Sequence, residues 1–466
     1  MQCCRFCGAC VFGTMKIRLT NFRTFRSTEF LPVRTLNVLV GENSSGKSSY
    51  MAATKFIFDI FANESVASFN SDPFFLGSFR DIAHFRGGRA GGAKTFSLAV
   101  SIDIEGSVAR LRRRNPVPPE LLGAGAPDYL EMELEFGVLK AQAILQSLYL
   151  SAGDIRLTMA FRRSEIEISD DTGASLIVSF PIRSTSTSNY MYDLFYLNYI
   201  LSNARTLKSV SAGVEHTPGT ALHRKIDLLG SLVETALQQF RVVTVATAPV
   251  RTEPQRVYQI SEKDSQKIGN QAAYNMAQMS AFEATEWTAL KKSIEGFGQS
   301  AGLFRQIAIR HLSKTKDGPF QIELKIGNRS SNIIDVGYGV SQALPLIFDL
   351  LRAKRPSVFF IQQPEVHLHP QAQVELATAM LDIAKRGRHK VFLETHSDFI
   401  LDRIRSDIRD KPQYNPSDVG ILFFKRNLLE SHIDLIEMNK NGELKDVPIE
   451  YRSFFLNEKK RSMGLA

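Results

Sequence analysis

The chain has 466 residues, 44% hydrophobic and 23% charged, enough for two or three domains each with its own core. No apolar run approaches the roughly 20 residues of a membrane-spanning helix, which excludes that class. The formal net charge of +9 permits a nucleic-acid partner without establishing one, because apart from Arg110–Arg114 and Lys459–Arg461 the positive residues are dispersed.

All four cysteines, Cys3, Cys4, Cys7 and Cys10, lie in the first ten residues. Their spacing resembles the start of an iron–sulfur or zinc ligand run, but no later cysteine completes a set. Residues 1–14 are therefore expected to be an unstructured or non-native extension, with a metal role as the alternative. The opening stretch lacks the apolar core of a signal peptide, which points to the cytoplasm.

From Met15 an alternating apolar/polar pattern predicts a half-buried strand, and Phe30 to Val40 predicts a strand pair leading into Gly41-Glu42-Asn43-Ser44-Ser45-Gly46-Lys47-Ser48-Ser49. Tyr50 to Phe61 then carries a helical apolar period. Strand, Gly-x-x-x-x-Gly-Lys-Ser and helix in succession form a Walker A phosphate loop. Its backbone N–H groups and helix N-terminus suit phosphates, Lys47 the β- and γ-phosphates, and the Ser48 hydroxyl Mg²⁺. Asn43 through Ser49 are the candidate ATP-binding residues.

Thr95 to Ile104 reads as another strand. Asn115–Pro119 and Gly123–Pro127 punctuate a loop, and Tyr129 to Ser179 reads as several strands. Asp193–Leu207, Ala221–Phe240 and Gln271–Phe297 read as helices, none with a sustained heptad. After Gly302 strands are expected at Phe304–Ile309, Phe320–Ile326 and Ser331–Val336. A helix opens at Asp335–Gln342 and runs to about Arg352, with Pro345 expected in its first turn. Val358–Ile361 and Lys390–Glu394 read as buried strands. Gln371–Arg386 reads as a helix with Pro370 at its start and Gly387 past its end, and Thr395-His396-Ser397 as the cap of a helix over Asp398–Ile408. The last strands fall near Ile421–Phe424 and Ser431–Ile436. The resulting division is an N-lobe over 15–105, an insertion of strands then helices over 106–300, a C-lobe over 301–445 and a charged tail over 446–466.

Three further segments follow the phosphate loop in the order found in ABC-type ATPases. Asp335-Val-Gly337-Tyr-Gly339-Val-Ser341-Gln342 resembles the signature of stand-alone ATPases of the OLD (overcoming lysogenization defect) group. Gln363-Pro364-Glu365-Val366-His367-Leu368-His369-Pro370 resembles their Walker B and D-loop, and Glu394-Thr395-His396-Ser397 their switch-histidine motif. The resemblance spans roughly 15–100 and 300–440. It implies an α/β, ABC/SMC-type P-loop ATPase head, a mixed sheet with flanking helices, carrying a compact α+β insertion. It also implies ATP and Mg²⁺ as cofactors and a head-to-head dimer or higher homo-oligomer. In that dimer Gly337, Gly339 and Ser341 of one copy would bind the γ-phosphate held by the other, and His396 would sense it. His367 and His369 read as D-loop structure rather than metal ligands.

One departure concerns catalysis. Where the family usually offers a carboxylate for Mg²⁺ stands Gln362, and the general-base position is Gln363. Glutamine can ligate through its carbonyl but cannot accept a proton from water. Glu365 reads as the only nearby carboxylate. Three explanations stay open: hydrolysis is very slow, Glu365 contributes, or Gln362 replaces a native Glu.

About 70 residues follow His396, too few for the TOPRIM domain of OLD nucleases, so any nuclease would act in trans. Similar stand-alone ATPases occur in two-gene anti-phage systems, the PARIS type with a TOPRIM effector and the Septu type with an HNH nuclease. The resemblance leans to PARIS. It implies an ATP-binding sensor scaffold that controls a toxic nuclease and answers to a phage-derived protein trigger. The alternatives are a RecF/Rad50-like repair ATPase that clamps duplex DNA and a housekeeping ATPase.

Overall fold

The computed structural model describes residues 14–62, 67–85, 87, 91–104, 128–162, 165–179, 221–240, 242–248, 253–259, 271–313 and 318–451. The four cysteines, Arg110–Arg114, the loop punctuation at 115–127, the helix expected at Asp193–Leu207 and Lys459–Arg461 lie outside the described residues. The chain divides into two compact units: Met1–Val33, Glu42–Thr244 and Phe424–Asp434, and Arg34–Gly41, Val245–Phe423 and Leu435–Ala466.

The first unit holds a nine-stranded sheet. Its strands are β1 (Met15–Phe22), β2 (Phe25–Ser27), β3 (Leu31–Pro32), β7 (Phe96–Asp103), β8 (Tyr129–Leu139), β9 (Gln142–Ala152), β10 (Ile155–Phe161), β11 (Glu165–Asp170) and β12 (Ser175–Ser179). They run in the order β12-β11-β10-β9-β8-β7-β1-β2, with β3 on β1. In β8 the period of two is plain: Leu130, Met132, Leu134 and Phe136 are buried, and Glu131, Glu133 and Glu135 turn the other way. Against the unit's core lies α1 (Lys47–Phe61), buried along nearly its whole length. Its one buried charge pair, Lys55–Asp59 at 2.6 Å, is closed by the Thr244 hydroxyl, 2.6 Å from Asp59 Oδ1. Phe56 stacks on Phe69 at 3.9 Å between ring centroids. A two-stranded ribbon, β5 (Asn70–Ser71) with β6 (Phe74–Phe75), and the one-turn α2 (Phe79–Ile82) complete the part near α1, with α3 (Ala221–Gln239) further along.

In the second unit β4 (Leu36–Gly41), β17 (Ser357–Gln362) and β18 (Lys390–Glu394) pair in parallel, Gln362 opposite Glu394 and Leu393 opposite Val38. All three are nearly fully buried, the signature of a sheet covered on both faces. The sheet order is β13-β17-β18-β4-β19-β20, with β13 (Val243–Thr247), β19 (Val419–Asn427) and β20 (Glu430–Ile436). Leu346, Leu376, Met380, Ile400 and Ile404 of α6 (Tyr338–Arg352), α7 (Pro370–Gly387) and α8 (Asp398–Asp410) share one core with Val38, Phe359 and Leu393. A second core joins α4 (Gln271–Phe282) and α5 (Ala284–Ser300) to the three-stranded sheet β14 (Gln306–His311), β15 (Phe320–Ile326), β16 (Arg329–Asn332), through Trp287, Ile294, Phe320, Leu324 and Phe348.

Several local expectations need correcting. Pro345 is the eighth residue of α6, because the helix already starts at Tyr338. The proline costs one backbone hydrogen bond inside the helix, and the fully buried Leu344, Leu346, Ile347 and Phe348 hold it in place. Ser331–Val336 is a strand only to Asn332, whose side chain accepts from Ile334 N at 3.2 Å and turns the chain into a short 3₁₀ helix. Gly387 is the last residue of α7, and the left-handed cap is Arg388 with φ 54°. In the stretch before the phosphate loop, β3 pairs with β1 while β4 enters the other sheet, as a short edge strand ending in Pro32 requires. The segment 106–300 spans both units: β8 to β12 continue the sheet of β1 and β7, whereas α4 and α5 belong to the second core.

Candidate functional site

β4 runs straight into the phosphate loop. Gly41 has φ 139°, Ser44 φ 60° and Gly46 φ 102°, and Gly46 directly precedes α1. Gly46 is required twice over. Its φ lies where L side chains rarely go, and a Cβ there would come 2.6 Å from Phe25 Cζ and 2.9 Å from Thr24 Oγ1. The loop is held from within: Ser45 Oγ and Lys47 Nζ each donate to the Glu42 carbonyl at 2.7 Å. Ser45 and Lys47 are buried, Ser49 is half-buried, and Asn43, Ser44 and Ser48 are exposed. All seven predicted loop residues therefore sit on one curl at the N-terminus of a fifteen-residue helix with no acidic residue in its first turn.

The second unit brings the three remaining segments together. Gln362 ends β17 and Gln363 turns the chain at φ 42°, its N–H donating to the Glu394 carbonyl at 2.8 Å. A non-glycine residue in the left-handed region costs about 1 kcal/mol and marks a held turn. Two residues on, Glu365 Oε1 accepts from the His396 backbone N–H at 2.8 Å. Its Oε2 is buried and has no hydrogen-bond partner among the described residues. This carboxylate ties the segment after β17 to the one after β18 and keeps one acceptor oxygen in hand. His396 itself is exposed. Beside it Thr395 is buried, and Ser397 caps α8, accepting from Ile400 N at 3.2 Å.

Gly337 and Tyr338, at the start of α6, are exposed, and Asp335 before them is paired in a fork with Arg256, which holds its carboxyl below the usual range. Gly339 backs onto the segment after β17 so closely that any Cβ would overlap the His367 carbonyl oxygen. Tyr338 meets the His367 ring edge-to-face at 4.8 Å. Ser341 is buried, its hydroxyl donating to the Tyr338 carbonyl at 2.8 Å. His369 caps α7 through Nδ1, which accepts from Gln371 N at 3.4 Å. Among the described residues no group of three His, Cys, Asp or Glu is placed to hold a metal.

One functional candidate becomes visible only in the fold. Glu365 is not the only carboxylate at hand: parallel pairing of β17 with β18 sets Glu394 beside Gln362, with Gln362 Nε2 donating to Glu394 Oε2 at 3.5 Å, both side chains buried. That amide orientation leaves the Gln362 carbonyl oxygen available to a cation, next to a negative charge. The signal was in the sequence as the residue before Thr395, but only the strand register turns it toward Gln362.

A phosphate loop between a buried strand and a helix, with that strand in a covered parallel sheet, defines an α/β P-loop ATPase fold. The profile described as "AAA ATPase domain" matches residues 154–401, more than half the chain, beginning after the phosphate loop. The chain belongs to this AAA ATPase domain family. No curated protein matches the chain. Among solved structures it is similar to an Smc head bound to the C-winged-helix domain of ScpA, at 12% identity over 92% of this chain and 98% of that one, with a TM-score of 0.44. A Pyrococcus furiosus Smc head with an extended coiled coil, bound to the C-terminal domain of ScpA, gives 12% identity, coverage of 96% and 99%, and a TM-score of 0.42. The SMC head domain from Thermotoga maritima gives 11%, 91%, 100% and 0.37. At those TM-scores the three heads add nothing to the assignment, which rests on the family match and on the loop and sheet geometry.

Proposed function

We propose that the chain is an ATP-operated switch. Asn43–Ser49 hold the nucleotide, and the start of α6 in a second copy receives its γ-phosphate. The observation that carries this reading is the exposed start of α6, a fifteen-residue helix whose first turn has no acidic residue. The positive end of that helix offers an anion site, and Gly339, backed onto His367, leaves no side chain in the way. His396, exposed and with its N–H held by Glu365, is the group that senses the phosphate. Ser48 is the loop residue that would hold Mg²⁺, and the ion would supply neutralisation of phosphate charge. Glu365, with one oxygen anchored and the other without a partner among the described residues, is the acceptor for the proton of the attacking water, the role neither glutamine can fill.

On this reading the consequence of ATP binding is assembly, and the assembled form holds a separate effector, a TOPRIM or HNH nuclease of an anti-phage system. The support for this finer step is the resemblance of the three motif segments to stand-alone defence ATPases. Sedimentation of the chain with its neighbouring gene product, with and without MgATP, tests it. The expected result is an ATP-dependent doubling of mass that Lys47→Ala and Gly339→Ala both prevent, with a nuclease subunit in the complex. A chain that stays monomeric with ATP bound refutes the switch. Duplex DNA binding that weakens steeply with salt, with no effector bound, favours a DNA clamp instead.

A further inference from the structure

The phosphate loop has a partner from far along the chain. Arg426, near the end of β19, donates from Nη1 to the Ser44 carbonyl at 3.3 Å and from Nε to the Leu428 carbonyl at 3.2 Å. Leu428, at φ 53°, turns the β19–β20 hairpin so that its own carbonyl faces back to the guanidinium. The hairpin is seated against the loop's foundation: Phe424 meets Phe25 at 6.2 Å and Tyr50 at 5.8 Å, both edge-on, and Ser431 N donates to the Thr24 carbonyl at 2.8 Å. Phe25 and Thr24 are the groups that crowd Gly46. One end of this hairpin thus touches the loop at Ser44 and underpins it at Gly46.

Charge makes the contact more than a brace. The hairpin's acidic residues serve other cations: Asp434 pairs with Lys425 at 2.9 Å, and Glu430 lies 4.0 Å from Arg26. Arg426 has no ion pair among the described residues. An uncompensated guanidinium therefore rests on a loop shaped for a polyphosphate.

We propose that Arg426 is a positioning residue for nucleotide binding: it fixes Ser44 in the left-handed conformation that aims the loop's N–H groups and adds positive charge that favours ATP over ADP. This rests on the phosphate loop being the ATP site. A lysine at 426 keeps the charge but lacks the fork that reaches two carbonyls at once.

The test measures MgATP and MgADP dissociation constants by fluorescent-nucleotide displacement on the full chain and on Arg426→Ala, Arg426→Lys and Lys47→Ala, together with nucleotide-free melting temperatures. Loss of one charge-assisted bond at an exposed site predicts ATP affinity weakened roughly 5- to 20-fold in Arg426→Ala. ADP should weaken by less than half that factor, Arg426→Lys should fall between, and the nucleotide-free melting temperature should be unchanged. Unchanged ATP affinity in Arg426→Ala overturns the inference. So does an equal loss for ATP and ADP accompanied by a lower melting temperature, which is what a merely structural residue would give. If Lys47→Ala keeps full ATP affinity, the error lies in the site itself rather than in Arg426.

Discussion

Replacing Glu365 with glutamine separates its structural role from its chemical one. Among the described residues its carboxylate has one bond, Oε1 to His396 N at 2.8 Å, and Oε2 is buried without a partner. Glutamine has the same length, and its carbonyl oxygen can take the His396 N–H, so only the charge assistance is lost. For a bond near the surface that amounts to about 1 kcal/mol. The amide nitrogen can occupy the Oε2 position, where no donor now stands against it. Glutamine cannot accept a proton, however, and removing a general base costs roughly 10²- to 10⁴-fold in turnover. The expected result is a melting temperature within a few degrees of the parent, MgATP affinity within about threefold, and single-turnover hydrolysis slowed at least a hundredfold. Quenched-flow measurement of phosphate release, with enzyme in excess over ATP, reads the chemical step directly. If Glu365→Gln hydrolyses ATP within threefold of the parent, Glu365 is not the base; a parallel loss in Glu394→Gln would then transfer the role to Glu394. A collapse in melting temperature would show instead that the tie to His396 is mainly structural.

Three further perturbations test other parts of the site. Gln362→Glu sets a second carboxylate where an amide now donates to Glu394 at 3.5 Å. The pair's shared pKa rises, so the variant should lose about 2–4 kcal/mol at pH 7. Thermal melts should show the deficit shrinking as pH falls from 7 to 5 and on addition of Mg²⁺; a deficit indifferent to both refutes the pairing. Gly46→Ala should cost about 2–4 kcal/mol by denaturant unfolding, from its φ and from the Phe25 ring 2.6 Å from the new Cβ. Lys47→Ala should cost little stability, since Ser45 still serves the Glu42 carbonyl, while abolishing ATP binding in a titration calorimeter. Lys390 tests the pH dependence of the second unit. Burial, with Arg34 nearby, lowers its pKa to about 8, against the pull of Asp418. Its folded pKa lies below the unfolded one near 10.4, so the unfolded chain binds more protons between pH 8 and 10. Stability should rise with pH across that window by up to about 3 kcal/mol relative to Lys390→Met, and a flat difference in denaturant midpoints between the two would refute it.

How much of this site could be read without coordinates follows from how far each feature depends on distant parts of the chain. The phosphate loop was legible because its chemistry is local: a buried strand, two glycines and a helix start are contiguous from Leu36 to Phe61. So was the cap at Ser397, whose hydroxyl serves a backbone group three residues on. Pro345 was misplaced because the helix start was read from the motif, whereas Gly337 ends the extended chain and lets α6 begin at Tyr338. The contacts that decide chemistry are long-range. Glu365 reaches His396 across 31 residues, and Glu394 meets Gln362 across 32. Both depend on β17 and β18 lying parallel in one register, and a one-residue slip would turn Glu394 to the opposite face of the sheet. The absence of an acid at the end of β17 therefore looked like a gap in the sequence. In the fold a carboxylate lies on each side of it: Glu394 laterally from the next strand and Glu365 from the turn beyond Pro364. On the proposed reading the catalytic base is one of these two placed acids, and the Glu365→Gln and Glu394→Gln pair distinguishes them.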